Sequence, residues 1–331
     1  VNLRFDYAEA DLVHLMAHDS DELNRWEAGQ RLALAIVLRG VEAIRAGRAV
    51  DVPRAYVDAV GRMLADGERD PAFAAEALVL PSEPYVAEQL DVVDPDAVHT
   101  ARNVLRREIA RVLRAELLAA YRSFEVTGPY SPDAQSAGRR ALRNMALGYL
   151  MELGEPEIEA LCTAQFDGAN NMTDRMAALG ALANSDAGAR PGALDRFYAE
   201  WKHEPLVVDK WLAVQATSRR TDTLARVKTL LAHEAFDIRN PNKVYALIRS
   251  FCANHVRFHA ADGAGYGFAA DRVMELDPLN PQIAARLARS FDRWRKFDPA
   301  RQALARAALE RIRGVPSLSK DVAEVVAKAL A

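Results

Sequence analysis

Cysteine is scarce: Cys162 and Cys252 are the only two in 331 residues. That is too few to staple a disulfide framework, so both read as free thiols buried in an apolar core. Excess charge of one sign is missing as well. The balance is −3 with an isoelectric point near 6.2, which gives no general pull toward nucleic acid. Basic pairs such as Arg106-Arg107 and Arg139-Arg140 stand among acids and read as solvated helix faces. Long apolar runs are absent. Leu32 to Leu38 is typical of the longest and falls far short of the roughly 20 residues a membrane-spanning helix needs, so no membrane partner is expected.

Catalytic patterns are missing too. In H-E-x-x-H, two histidines one helical turn apart hold one zinc and the glutamate between them acts as base. His203-Glu204 runs into Pro205, and His233-Glu234 is followed by Asp237 where the second histidine would stand. His14 and His18 have the spacing but carry Leu15 at the position of the base, and they read as a capping or surface pair. No Ser-His-Asp order can be argued. The glycines of Asp262-Gly263-Ala264-Gly265-Tyr266-Gly267 lack a preceding strand and a Lys-Ser/Thr ending. They read as a helix-to-helix turn in which glycine supplies positive φ. No catalytic residue and no metal ligand is assigned within the chain.

What is present points to a folded helical protein. Half the residues are hydrophobic and 27% are charged, which excludes disorder as the default. At 331 residues the chain exceeds the usual size of one core, so the core must split or elongate. Asp70-Pro71, Asp94-Pro95, Ser131-Pro132, Asn240-Pro241, Asp277-Pro278, Asn280-Pro281 and Asp298-Pro299 each set a capping side chain before a proline. The cap oxygen accepts an orphan amide at a helix start, and proline has no amide to leave unpaired. Between these starts the apolar spacing is helical. Leu105, Ile109, Leu113, Leu117 and Tyr121 form one stripe, and Leu304, Ala308 and Ile312 another. Only Val1 to Tyr7 alternates like a strand. No strict repeat period emerges, yet helices joined by short turns in a chain this long favour stacked antiparallel pairs. The expected fold is all-α: an α-superhelix, solenoid-like, with a short strand-like tail.

Two groups of residues carry candidate chemistry. Cys252, His255 and His259, with Asp262 nearby, would face a metal together if they shared one helix; the simpler reading makes Cys252 a small core residue. On the helix expected to begin at Pro281, Gln282 and Arg286 stand one turn apart. Arg289 and Arg293 continue that polar side, while Ile283, Leu287, Phe291 and Trp294 form the apolar stripe. Periodicity alone reads this as an amphipathic helix with its polar side in water.

Longer stretches add a resemblance. Asn240 to Phe251 reads N-P-N-K-V-Y-A-L-I-R-S-F, and Phe258 to Phe268 reads F-H-A-A-D-G-A-G-Y-G-F. Leu279 to Leu287 reads L-N-P-Q-I-A-A-R-L, and Arg295 to Gln302 reads R-K-F-D-P-A-R-Q. With Arg25-Trp26-Glu27-Ala28, Asp70-Pro71-Ala72-Phe73-Ala74-Ala75-Glu76, Gln165-Phe166, Ala169-Asn170-Asn171-Met172-Thr173-Asp174 and Asp209-Lys210-Trp211, these resemble the C-terminal helical domain of bacterial aminopeptidase N. That family consists of gluzincin zinc exopeptidases. The likeness runs along essentially the whole chain, yet the H-E-x-x-H helix and the family's G-A-M-E-N segment are not in it.

The resemblance implies a trailing strand or linker from a small β-domain at 1–7 and a lid domain of α-superhelical form at 8–331. It implies a non-catalytic domain of a cytoplasmic metalloaminopeptidase that removes N-terminal residues from peptides. Zinc would belong to the parent's catalytic domain, and the partners would be that domain and peptide substrates. The lid would close the cavity, restrict access to peptides and shape the leaving side. The Gln and Arg of the family's N-P-Q-x-x-x-R, here Gln282 and Arg286, would reach the substrate on that side, and His259 would match a histidine with a non-metal role. Some relatives carry Arg where this chain has Tyr245, so Tyr245 is a weaker candidate for a contact from the N-P-N helix. The alternative is a free-standing helical scaffold that binds a protein partner. A first residue that is Val and not Met favours a piece of a longer chain.

Overall fold

A computed structural model describes residues 7–331, which are helical nearly throughout. Val1 to Asp6, and with them nearly all of the expected strand-like tail, lie outside the described residues. Among the described residues the one extended pairing is an isolated parallel bridge between Val93 and Phe297. The described residues divide into two compact units, one formed by the chain up to residue 86 together with 97–190, the other by 87–96 and 191–331.

Most of the expected helix starts are built as the sequence implies. Asp70, Asn240, Asn280 and Asp298 accept the amides of Phe73, Asn242, Ile283 and Arg301 at 2.9, 3.0, 3.2 and 3.1 Å, each ahead of a proline in the first turn. Two differ. Ser131 precedes the cap: Asp133 does the capping, accepting from Ser136 at 2.8 Å, and the helix is Ala134–Leu150. Asp277 ends a helix instead of starting one. Its buried carboxylate takes the Ser319 amide at 2.8 Å and the Ser319 hydroxyl, and so holds the residue that caps Lys320–Leu330. Pairing a buried carboxylate across elements outweighs a local turn preference.

In the first unit, Glu9–His18 packs on Glu22–Arg45, Arg114–Ser123 on Ala134–Leu150, and Pro156–Gly168 on Met172–Ala183. The Leu105 to Tyr121 stripe is buried throughout, although the chain changes helix at Leu113, from Pro95–Val112 to Arg114–Ser123. Two of the matched segments meet here. Buried Arg25 donates to the Met16 carbonyl at 3.1 Å and to Asp66 at 2.5 Å, with its guanidinium 5.7 Å from the centre of the Phe73 ring.

In the second unit, Ala264–Leu276 packs on Pro281–Ala288, which packs in turn on Lys320–Leu330. The core is aromatic. Phe258 meets Phe251, Tyr266 and Phe291 edge-on or tilted at 6.4, 5.4 and 5.8 Å between ring centres, all four being almost wholly buried. Each ring contributes about 1.5–3 kcal/mol by leaving water. Leu304 departs from its expected stripe and is 38% exposed. The buried face of Pro299–Arg313 is Arg301, Ala305, Ala308, Leu309 and Ile312. Of the glycines at 263, 265 and 267, only Gly263 has a positive φ, +70°. Gly265 serves close approach instead, since a Cβ there would lie 2.2 Å from the Phe258 carbonyl oxygen.

Candidate functional site

The candidate site is built on two segments of the second unit. Pro281–Ala288 buries Ile283, Ala284, Leu287 and Ala288 and leaves Gln282 and Arg286 exposed one turn apart. The polar side beyond them is already engaged. Arg289 lies 3.8 Å from Asp292, and Arg293 is paired with Glu88.

The second segment starts at Asn240 and runs as Pro241–Val244, a π-turn over Tyr245–Arg249, and Ser250–Cys252. Its start is pinned by Lys243, a nearly buried cation that donates to the Pro205 carbonyl at 3.0 Å and to Asp209 at 2.7 Å. The N-P-N-K and D-K-W stretches are thereby one structural feature. Within the π-turn the Ser250 hydroxyl donates to the Tyr245 carbonyl at 3.1 Å, satisfying an acceptor that the wide turn loosens. Tyr245 is half-buried and Arg249 exposed.

The structure brings two of the three sequence candidates together. Arg286 Nη1 donates to the Tyr245 hydroxyl at 3.0 Å, across 41 positions of sequence. Gln282 stays on the exposed face of the same helix. Sequence reasoning missed Arg249, whose guanidinium carbon lies 5.9 Å from the centre of the Tyr245 ring. Its spacing of four from Tyr245 was the available signal. Two guanidinium groups and a phenol present donors almost exclusively, which suits carbonyl or carboxylate oxygens.

The Cys252, His255 and His259 alternative loses its premise, because these residues do not share a helix. Ser250–Cys252 ends, the chain turns, and a new helix runs over His255–Phe258. Burial pushes the Cys252 thiol up to about 12, so it stays protonated. His259 stacks on Phe297 at 3.9 Å and shares a 2.9 Å hydrogen bond between Nδ1 and the Tyr266 hydroxyl. Burial, then the neighbouring His255 and Arg301, hold its pKa well below the usual histidine range. Among the described residues, no group of three or more His, Cys, Asp or Glu is placed to hold a metal ion. His14 and His18 are exposed, and His18 Nε2 lies 2.7 Å from Arg62 Nη1.

The first unit has a separate cleft of about 520 Å³, lined in part by Tyr121, Glu125, Arg143, Gln165, Asn170 and Asp174. Its polar floor is largely tied to itself. Asp174 takes Asn144 at 2.8 Å and Asn171 at 2.9 Å, while Gln165 Nε2 donates to Asn144 at 2.7 Å and to the Asp174 carbonyl at 3.0 Å. The N-N-M-T-D stretch is therefore a capping network, with Asn171 accepting the Asp174 amide at 2.9 Å.

Residues 9–331 match a family described as a domain of unknown function, DUF3458_C, with ARM repeats. The chain is similar to aminopeptidase N of Caulobacter vibrioides, at 42% identity over 331 residues, all of this chain and 38% of that protein. Similarity to aminopeptidase N of Escherichia coli K12 is 37% over 333 residues, again all of this chain and 38% of the relative. Among solved structures, aminopeptidase A of Legionella pneumophila in complex with aspartic acid superimposes with a TM-score of 0.89 at 30% identity, covering all of this chain and 39% of that one. The chain thus spans less than two-fifths of the length of these relatives. Among the described residues, no helix is long and apolar enough to cross a membrane.

Proposed function

Because the chain belongs to the DUF3458_C ARM-repeat family and is homologous to the C-terminal part of aminopeptidase N, we propose that it is the non-catalytic C-terminal domain of a zinc-dependent aminopeptidase. In this reading it closes the active-site cavity, restricts substrate access, and contacts the peptide on the leaving side of the scissile bond. The partners are the enzyme's own catalytic domain and its peptide substrates. The chain's own residues do not fit a zinc site, since neither His203-Glu204 nor His233-Glu234 is followed by a second histidine. The metal is therefore assigned to the catalytic domain, outside this sequence.

The observation that carries the reading is the Arg286–Tyr245 contact. Arg286 leaves a helix whose apolar face already packs, and its head group meets a phenol at 3.0 Å instead of a carboxylate. Such a guanidinium keeps donors free for a peptide carbonyl or carboxylate. Gln282, one turn earlier, offers an amide that both donates and accepts. The test is Arg286→Ala in the full-length protein. Loss of a charge-assisted hydrogen bond costs about 1.5–3 kcal/mol, or roughly ten- to a hundredfold in kcat/KM for tripeptides. Single-residue chromogenic amides, with no peptide on the leaving side, should suffer less. Equal losses on both substrate types, or a collapse in Tm, would make Arg286 a structural residue and end this assignment.

A further inference from the structure

Exposed arginines of the second unit are commonly held by an acid. Arg293 pairs with Glu88, Arg306 with Glu310 at 2.9 Å, and Arg311 with Asp271. Arg249 and Arg286 form no ion pair with any described residue. They converge instead on one side chain. Arg286 donates to the Tyr245 oxygen, and Arg249 lies 5.9 Å from the centre of the same ring, where the negative face of the π-system attracts a cation. A phenol oxygen that accepts from a guanidinium keeps its own proton to offer elsewhere. The π-turn supports the arrangement. It places Tyr245 and Arg249 at its two ends, with Ser250 satisfying the Tyr245 carbonyl.

We propose that Arg249, Arg286 and the Tyr245 hydroxyl form a carboxylate clamp that takes the free C-terminus of a short peptide lying on the leaving side. This rests on the reading given under Proposed function. Two cations gathered without a counter-charge repel each other, and an arriving anion relieves that repulsion. A carboxylate has two oxygens and about four lone-pair positions, enough for two guanidinium groups and a hydroxyl at once. The C-terminal carboxylate is the one anion every short free peptide carries whatever its sequence. Arg249 is then a specificity-determining residue: it favours short free peptides over blocked or long ones, for which no carboxylate reaches the clamp.

The experiment compares trialanine with trialanine amide as substrates of the full-length protein. The wild type should prefer the free acid by about tenfold in kcat/KM, mostly through KM, because binding to a fixed end group is uniform along the reaction. Arg249→Ala should bring that ratio close to one, Arg249→Lys should keep part of it, and added salt should shrink it, since the groups are exposed. Arg306→Ala, on the helix Pro299–Arg313, should leave the ratio as it is. An unchanged ratio in Arg249→Ala overturns the clamp. If an amidated peptide with an internal glutamate regains an Arg249-dependent preference, the assignment to the C-terminus is overturned. The two readings fail differently. Should Arg286→Ala spare single-residue amides while Arg249→Ala leaves the ratio unchanged, only the clamp falls; should Arg286→Ala affect peptides and amides equally, the leaving-side role itself falls.

Discussion

His259 lies under Phe297, bonded to Tyr266, with its carbonyl taken by Arg301 Nε at 2.6 Å. A proton added there would be buried beside His255 and Arg301, so the folded pKa lies well below the ordinary value. The unfolded chain binds that proton near pH 6.5. Between the two values the unfolded state holds more protons, so stability is complete above about pH 6.5 and falls as pH drops through the window below it. The slope for one proton is at most about 1.4 kcal/mol per pH unit. Wild-type Tm should decline more steeply from pH 7.5 to 5.5 than that of His259→Gln, which accepts a hydrogen bond but does not titrate; parallel declines would contradict this account. At the same scale, the exposure of Gln282 and Arg286 was legible from helical spacing, because one helix face decides it. Arg249 was not, because its meaning depends on a ring placed beside Arg286 by folding. Leu304 was misjudged because Pro299–Arg313 turns Arg301 inward, where it bonds His259 and Asp298, so that Ala305 and not Leu304 joins Ala308 and Ile312 on the buried face.

Among elements, most asparagine-proline and aspartate-proline starts were readable because a cap is a local bond, closed within three residues. Asp277 escaped that logic: its partner Ser319 stands 42 residues away. The glycines of Ala264–Leu276 show the same division. Gly263 takes a left-handed turn that any reading of the sequence allows, whereas Gly265 is required by the Phe258 backbone pressed against it. Gly265→Ala should therefore lower stability by about 1–3 kcal/mol, as overpacking against backbone does. Gly267→Ala, whose Cβ would meet nothing within 4 Å, should be neutral or gain up to about 1 kcal/mol from helix propensity. Urea unfolding midpoints of the two variants check this, and similar midpoints would remove the close-approach explanation.

For the whole molecule, the proposed division of labour predicts that these 331 residues, expressed alone, fold cooperatively but release no product from alanyl or arginyl chromogenic amides, with or without added zinc. Without a metal-bound water this class of chemistry has no nucleophile. Stoichiometric zinc binding together with clear peptidase turnover would overturn the assignment of the metal to the catalytic domain. A long reading frame upstream of Val1 with the zinc motif would favour the enzyme over a free-standing scaffold.

Sequence by itself determined the helical class, most helix starts and the family, because caps, periodicity and short motifs are local and survive without knowing where distant segments lie. Tertiary structure alone decided the partition into two units, the pairing of Lys243 with Asp209, and the meeting of Arg286, Tyr245 and Arg249. Each of these joins groups separated along the chain or turned by an irregular helix. Charge and hydrogen bonding select among such pairings only once the apolar core has brought the segments within reach.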